Sequence, residues 1–230
     1  MTRAAAAAAA EAAAAENVPA RAVSVFINCP FDGAFGESLD AILFTIVACG
    51  YEPRSAVDTD NTDESRMKRI VDALRGSHLS IHDLSRVYGD AKNVAHFNMP
   101  LELGIAMALK LAHENGESKL AHSWTALVLE GSAYRAAVSD LNGHDLKRYS
   151  SRETLVAQVM KWLTIRLKGR RVTFKPVEVM AAMPEFDARL KLLREGWSND
   201  PPWGDIVGTA RDVAAARQLQ VLALAPPPGP

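Results

Sequence analysis

Residues His78–Asn115 read HLSIHDLSRVYGDAKNVAHFNMPLELGIAMALKLAHEN, and their order decides the fold. An apolar run at His78–Leu84 closes on a carboxylate, Asp83, and reads as a buried strand. A polar loop follows. Pro100 then opens a helix that runs to about His113 and carries Glu102 in its first turn. The arrangement sets two acids and several loop donors at the carboxyl end of a central strand. In open α/β sheets that is where ligands bind.

The pattern repeats on either side. Val23–Cys29 (VSVFINC) is an apolar run stopped by Pro30 and predicts a first strand. Phe35–Cys49 repeats apolar residues at helical spacing, with Gly50 as its stop. Tyr51–Val57 predicts a second strand. Asp63–Arg75 is amphipathic, with Met67, Ile70, Val71 and Leu74 on one face. Thr125–Leu129 predicts a fourth strand, Ala133–Leu141 a short helix and Asp145–Tyr149 an edge strand. Leu155–Leu167 predicts a helix capped by Ser150 or Ser151. Strands alternating with helices favour a parallel sheet covered on both faces, with right-handed crossovers. The expected class is α/β, with the flavodoxin-like strand order 2-1-3-4-5. Its switch point falls between strands one and three, which end at Asn28–Asp32 and His82–Arg86.

Four segments are expected: an Ala-rich low-complexity tail over 1–20, an α/β domain over 21–169, a helical extension over 170–225 and a disordered tail over 226–230. Gly169–Arg171 marks the boundary. In the extension, Val177–Leu193 and Ile206–Leu219 read as helices joined by a turn at Asn199–Gly204.

The chain has 230 residues and a formal net charge of -1, so its overall charge gives no case for binding nucleic acid or an acidic membrane surface. No apolar run is long enough to span a membrane. The alanines near the N-terminus are too weakly hydrophobic for a signal peptide and are interrupted by Glu11 and Glu16. A cytoplasmic location is expected. Cys29 and Cys49 lack CxxC spacing and read as buried small hydrophobes. No His/Cys/Asp cluster has metal-ligand spacing, so no metal is expected. P-loop, GxSxG and GxGxxG motifs are all missing.

Several residues could carry chemistry. Leu101, Ile105 and Leu109, with Ala108, can face the sheet, which displaces Glu102 from that stripe towards the loop. Gly104 permits close packing on a strand. Glu102 is either a solvated glutamate at a helix N-terminus or a carboxylate beside a small-molecule cleft. In a cleft it could stabilise an oxocarbenium-like transition state or attack an anomeric carbon. Asp83 either caps a turn or accepts hydrogen bonds from sugar hydroxyls. Ser85 and Arg86 could meet a phosphate or ribose. Asn28, Pro30, Phe31 and Asp32 form the loop after strand one, where Phe31 could stack on a base and Asp32 reach a hydroxyl. Arg54 could serve an anionic ligand or form a surface salt bridge. His82 and His96 read as structural histidines.

FINCPFD at Phe26–Asp32, SIHDLSR at Ser80–Arg86 and FNMPLELG at Phe97–Gly104 together resemble a bacterial TIR-like family, close in fold to the nucleoside 2-deoxyribosyltransferases. The resemblance covers Val23–Lys168. It implies that Glu102 stands where the transferases carry the glutamate that attacks the sugar, and that Asp83 matches their strand-end aspartate. TIR enzymes that cleave NAD also use a helix-borne glutamate near the ribose. The transferases' small Ser-Gly-Thr turn is replaced here by Phe97-Asn98-Met99-Pro100, which argues against transfer to a free nucleobase. By resemblance, Phe97, Asn98 and Met99 join the Asn28–Asp32 loop in positioning the substrate. The expected function is an N-glycosidase cleaving the ribose–base bond of NAD or a related nucleotide. NAD would be its substrate, with no cofactor. The resemblance also implies a bacterial anti-phage or stress role, and activity that awaits self-assembly or a protein partner. A nucleotide-sensing or protein-interaction module without catalysis is the first alternative, and a nucleoside deoxyribosyltransferase the second.

Overall fold

Five short runs of mostly apolar and β-branched residues build one parallel sheet: β1 (Ser24–Asn28), β2 (Glu52–Arg54), β3 (Leu79–Asp83), β4 (Thr125–Gly131) and β5 (Lys147–Tyr149). Their order is β2-β1-β3-β4-β5, and every pairing is parallel. The expected α/β class and strand order are both found. The computed structural model describes residues 23–30, 36–58, 63–85, 98–116, 125–131, 145–167, 170–219 and 221–223. The helix expected near Ala133–Leu141, the two tails, Phe31, Asp32, Arg86, His96 and Phe97 lie outside the described residues.

Strand periodicity sorts the side chains between two faces. Val25, Ile27, Leu79, Ile81, Leu127 and Leu129 join the larger apolar cluster. It includes α1 (Gly36–Ala48), α4 (Arg152–Thr164), α5 (Pro176–Gly196) and α6 (Trp203–Ala216). Phe26 points the other way, to Ile70 and Leu74 of α2 (Arg66–Arg75) and Ala106 of α3 (Asn98–Glu114). By the same alternation, the Phe26 face also carries Asn28, Ser80 and His82. All three are buried polar residues.

α1 is buried along its whole length from Leu39 to Ala48. A helix that is apolar on all sides must be covered on all sides, and α4, α5 and α6 pack against it. Phe44 of α1 stacks on Phe186 of α5 at 4.8 Å. Ser151 caps α4 in a reciprocal capping box with Thr154. At the expected boundary the chain enters β6 (Arg170–Val172), which pairs antiparallel with β7 (Val221–Ala223). Each of these strands is only three residues long, too short for periodicity to reveal. The extension therefore shares its apolar cluster with the sheet.

α3 departs from expectation. It begins at Asn98, two residues before Pro100, so Glu102 falls in its second turn. Its buried residues are Met99, Glu102, Leu103 and Ala106. Leu101 is 53% exposed, and no atom lies within 4 Å of where a Cβ on Gly104 would sit. Glu102 thus belongs to the inward stripe, and Gly104 faces outward instead of meeting a strand. Among the described residues, no helix is long and apolar enough to cross a membrane.

Candidate functional site

The site is built where β1 and β3 end side by side, with Asn28 in register with His82. Asn28 Nδ2 donates to His82 Nδ1 at 2.9 Å and to the Met99 carbonyl at 3.1 Å. A carbonyl only accepts, so the amide nitrogen must face Met99. His82 Nδ1 then accepts, its proton sits on Nε2, and Nε2 donates to Ser80 Oγ at 2.8 Å. Burial pushes the His82 pKa down to about 3, so the ring is neutral and structural. The opposite end of the Asn28 amide, Oδ1, is buried and has no hydrogen-bond partner among the described residues. Asn28 thereby ties the first strand to the first turn of α3, one helical turn before Glu102 on the same face.

Glu102 is 4% exposed, and burial pushes its carboxyl up to about 7, opposed by the charge of Arg66. No described residue donates a hydrogen bond to it. Asp83 is the opposite case. Its Oδ1 accepts from the Ser85 amide at 2.9 Å and from the Ser85 hydroxyl, and its Oδ2 accepts from Tyr149 Oη at 2.7 Å. The Gly131 amide in turn donates to Ser85 Oγ at 2.6 Å. Burial raises the Asp83 pKa, while these donors pull it down. Burial, then the charge of Asp83, pushes the Tyr149 phenol up. Asp83, Ser85 and Tyr149 form a closed ring, to which the Gly131 amide is tied through Ser85, and together they lock the ends of β3, β4 and β5. One acid is therefore satisfied, and the other has no donor among the described residues. Burial raises the pKa of both carboxyls, and that difference in donors is what separates them.

A groove of about 1260 Å³ runs beside this point. Pro30, Asn98 and Met99, all expected at the site, line one side of it, as does Arg66. Glu102, on the same helix as Met99, is not part of the groove wall. Arg54 is held in an ion pair with Asp58, which leaves its guanidinium less available to a ligand. Cys29 and Cys49 are buried free thiols, and burial pushes both pKa values up. Among the described residues, no group of His, Cys, Asp and Glu could hold a metal ion.

Sequence reasoning did not single out Arg66, Tyr149 or the tryptophans of the extension. Arg66 looks like any first residue of an amphipathic helix. Tyr149 is recognisable only once β5 is placed beside β4. No protein-family model matches the chain, and no curated protein is significantly similar to it.

Proposed function

We propose that the protein is an N-glycosidase that cleaves the ribose–base bond of NAD or a related nucleotide, with Glu102 acting on the ribose. The observation that carries this reading is the state of Glu102: a buried carboxyl without donors among the described residues, on the helix that Asn28 ties to the end of β1. Such a group gains most from a cation brought into contact with it. The pyridinium of NAD is a cation, and so is the oxocarbenium formed as its bond to C1′ breaks. Stabilisation that grows as positive charge develops on the sugar is catalysis by differential binding.

The electron pair of the breaking bond leaves with nicotinamide, which departs neutral, so no general acid is required. Water adds to C1′, its proton passes to solvent, and ADP-ribose results. Asn28 positions α3 through Met99. Asp83 acts at one remove, by holding the strand ends through Ser85 and Tyr149. The Phe97–Pro100 segment disfavours a free base as acceptor, so water is the acceptor in this reading.

The test is chromatography of the products after incubation with NAD and a panel of nucleosides and nucleotides, run beside Glu102→Gln. Release of a base by the wild type alone supports the reading. Turnover retained by the variant removes Glu102 from it. Tight binding without turnover points instead to a nucleotide sensor.

A further inference from the structure

We propose that the groove between the first turn of α3 and the α5–α6 turn binds an adenosine diphosphate moiety, with the base against Trp197 and the diphosphate at Arg66. This deepens the N-glycosidase reading and rests on it for the identity of the other half of the ligand. The groove's volume of about 1260 Å³ exceeds the roughly 300–1,000 Å³ typical of small-molecule sites. One wall belongs to the α/β unit and the other to the extension.

Trp197 closes α5 and lines the groove, yet it is 49% exposed. The two residues after it, Ser198 (φ 51°) and Asn199 (φ 70°), are both left-handed. Ser198 holds the left-handed position that closes a helix, and Asn199, a residue type that tolerates this backbone, follows it. The turn is held from behind. The Asn199 amide donates to the Arg194 carbonyl at 2.7 Å, and the Arg194 guanidinium grips buried Asp40 through two bonds of 2.8 and 3.0 Å. Trp203, on the same wall, is fixed by its indole N–H donating to the Pro53 carbonyl at 3.2 Å. The fold thus secures one tryptophan and leaves the other presented to the cavity, as a stacking face requires.

The charges divide in the same way. Asp40 is paired with Arg194, and Asp58 with Arg54. Arg66 has no ion pair or hydrogen bond among the described residues, and its charge acts on Glu102, which places it towards the reacting end. Glu37 and Asp200 remain on the wall as acceptors for sugar hydroxyls, the role an acid plays in dinucleotide sites. An aromatic face, acids for a ribose and a cation for phosphate match the three parts of the moiety.

ADP titrated into the full chain tests the groove alone, read by tryptophan fluorescence and Tm. The expected result is saturable quenching and a raised Tm. Trp197→Ala should weaken Kd by about tenfold or more, while Trp197→Phe keeps it within about threefold, as stacking demands. Arg66→Ala should weaken it most at low salt. The inference is overturned if millimolar ADP gives no response, or if Trp197→Ala binds ADP as the wild type does. Tripolyphosphate binding as tightly as ADP would also overturn it, since the base would then contribute nothing. ADP binding by a protein that cleaves no nucleotide supports the groove and removes the glycosidase. NAD cleavage without ADP binding does the reverse.

Discussion

Glu102 is a carboxyl whose surroundings oppose its charge. Its pKa of about 7 lies above the ordinary 4.5, so the folded state holds the proton more tightly than the unfolded chain does. The stabilisation this brings is complete below the unfolded value. It is lost as the pH climbs from 4.5 through 7, and above that the folded protein carries a buried charge. Glu102→Gln should therefore raise stability at pH 8, by on the order of 3 kcal/mol at about 1.4 kcal/mol per pKa unit, and change it little at pH 5. Denaturant unfolding at the two pH values checks this, and a loss at pH 8 would mean that the carboxylate is satisfied after all. Asn28→Ala removes donors to His82 and to the Met99 carbonyl, and should cost about 2 kcal/mol, read in the same assay. Glu102 was legible in the sequence from its place after Pro100 and from the LELG run. Its burial was not. The helix starts two residues before the proline, and that changes which residues face inward.

At the scale of elements, two helices end in the same way with different residues. α1 closes on Gly50 (φ 74°), whose amide donates to the Val47 carbonyl at 2.9 Å while that of Tyr51 reaches Ile46 at 3.1 Å. α6 closes on Gln218 (φ 56°), with amide bonds of 3.0 Å to Ala215 and, from Leu219, 2.9 Å to Ala214. This is the Schellman geometry, which favours glycine. Gln218→Gly should stabilise by about 0.5–1 kcal/mol. Gly50→Ala should destabilise by more than that, because its Cβ would also sit 3.1 Å from Val221 Cγ2. Thermal unfolding of the two variants tests both signs. The contrast also shows what a sequence can announce. Gly50 after an apolar helical run is a readable stop, whereas Gln218 is not, and neither is the ribbon of β6 and β7.

Across the whole molecule, the extension completes the fold. α1 would lose two of the three helices that cover it without α5 and α6, and the Arg194–Asp40 and Arg152–Asp187 pairs fasten the two parts together. Burial raises the Asp40 pKa and Arg194 opposes that. Arg194→Ala leaves the carboxyl buried without its cation and should cost about 3 kcal/mol, whereas Asp40→Asn combined with Arg194→Met should recover most of the loss. A double-mutant cycle measures this. The order of the sheet could be read from strands alternating with helices. The joining of extension and sheet into one core could not, because it depends on which helix faces meet.

The central claim is that an ionised Glu102 drives cleavage of a ribose–base bond. The most direct measurement is kcat/KM for nicotinamide release from NAD between pH 5 and 9, beside Glu102→Gln. That ratio reports the free enzyme's groups. The rate is expected to rise with pH through a midpoint near 7, where burial holds the Glu102 carboxyl, with no release by the variant. A flat profile, or release by the variant at the wild-type rate, would contradict it.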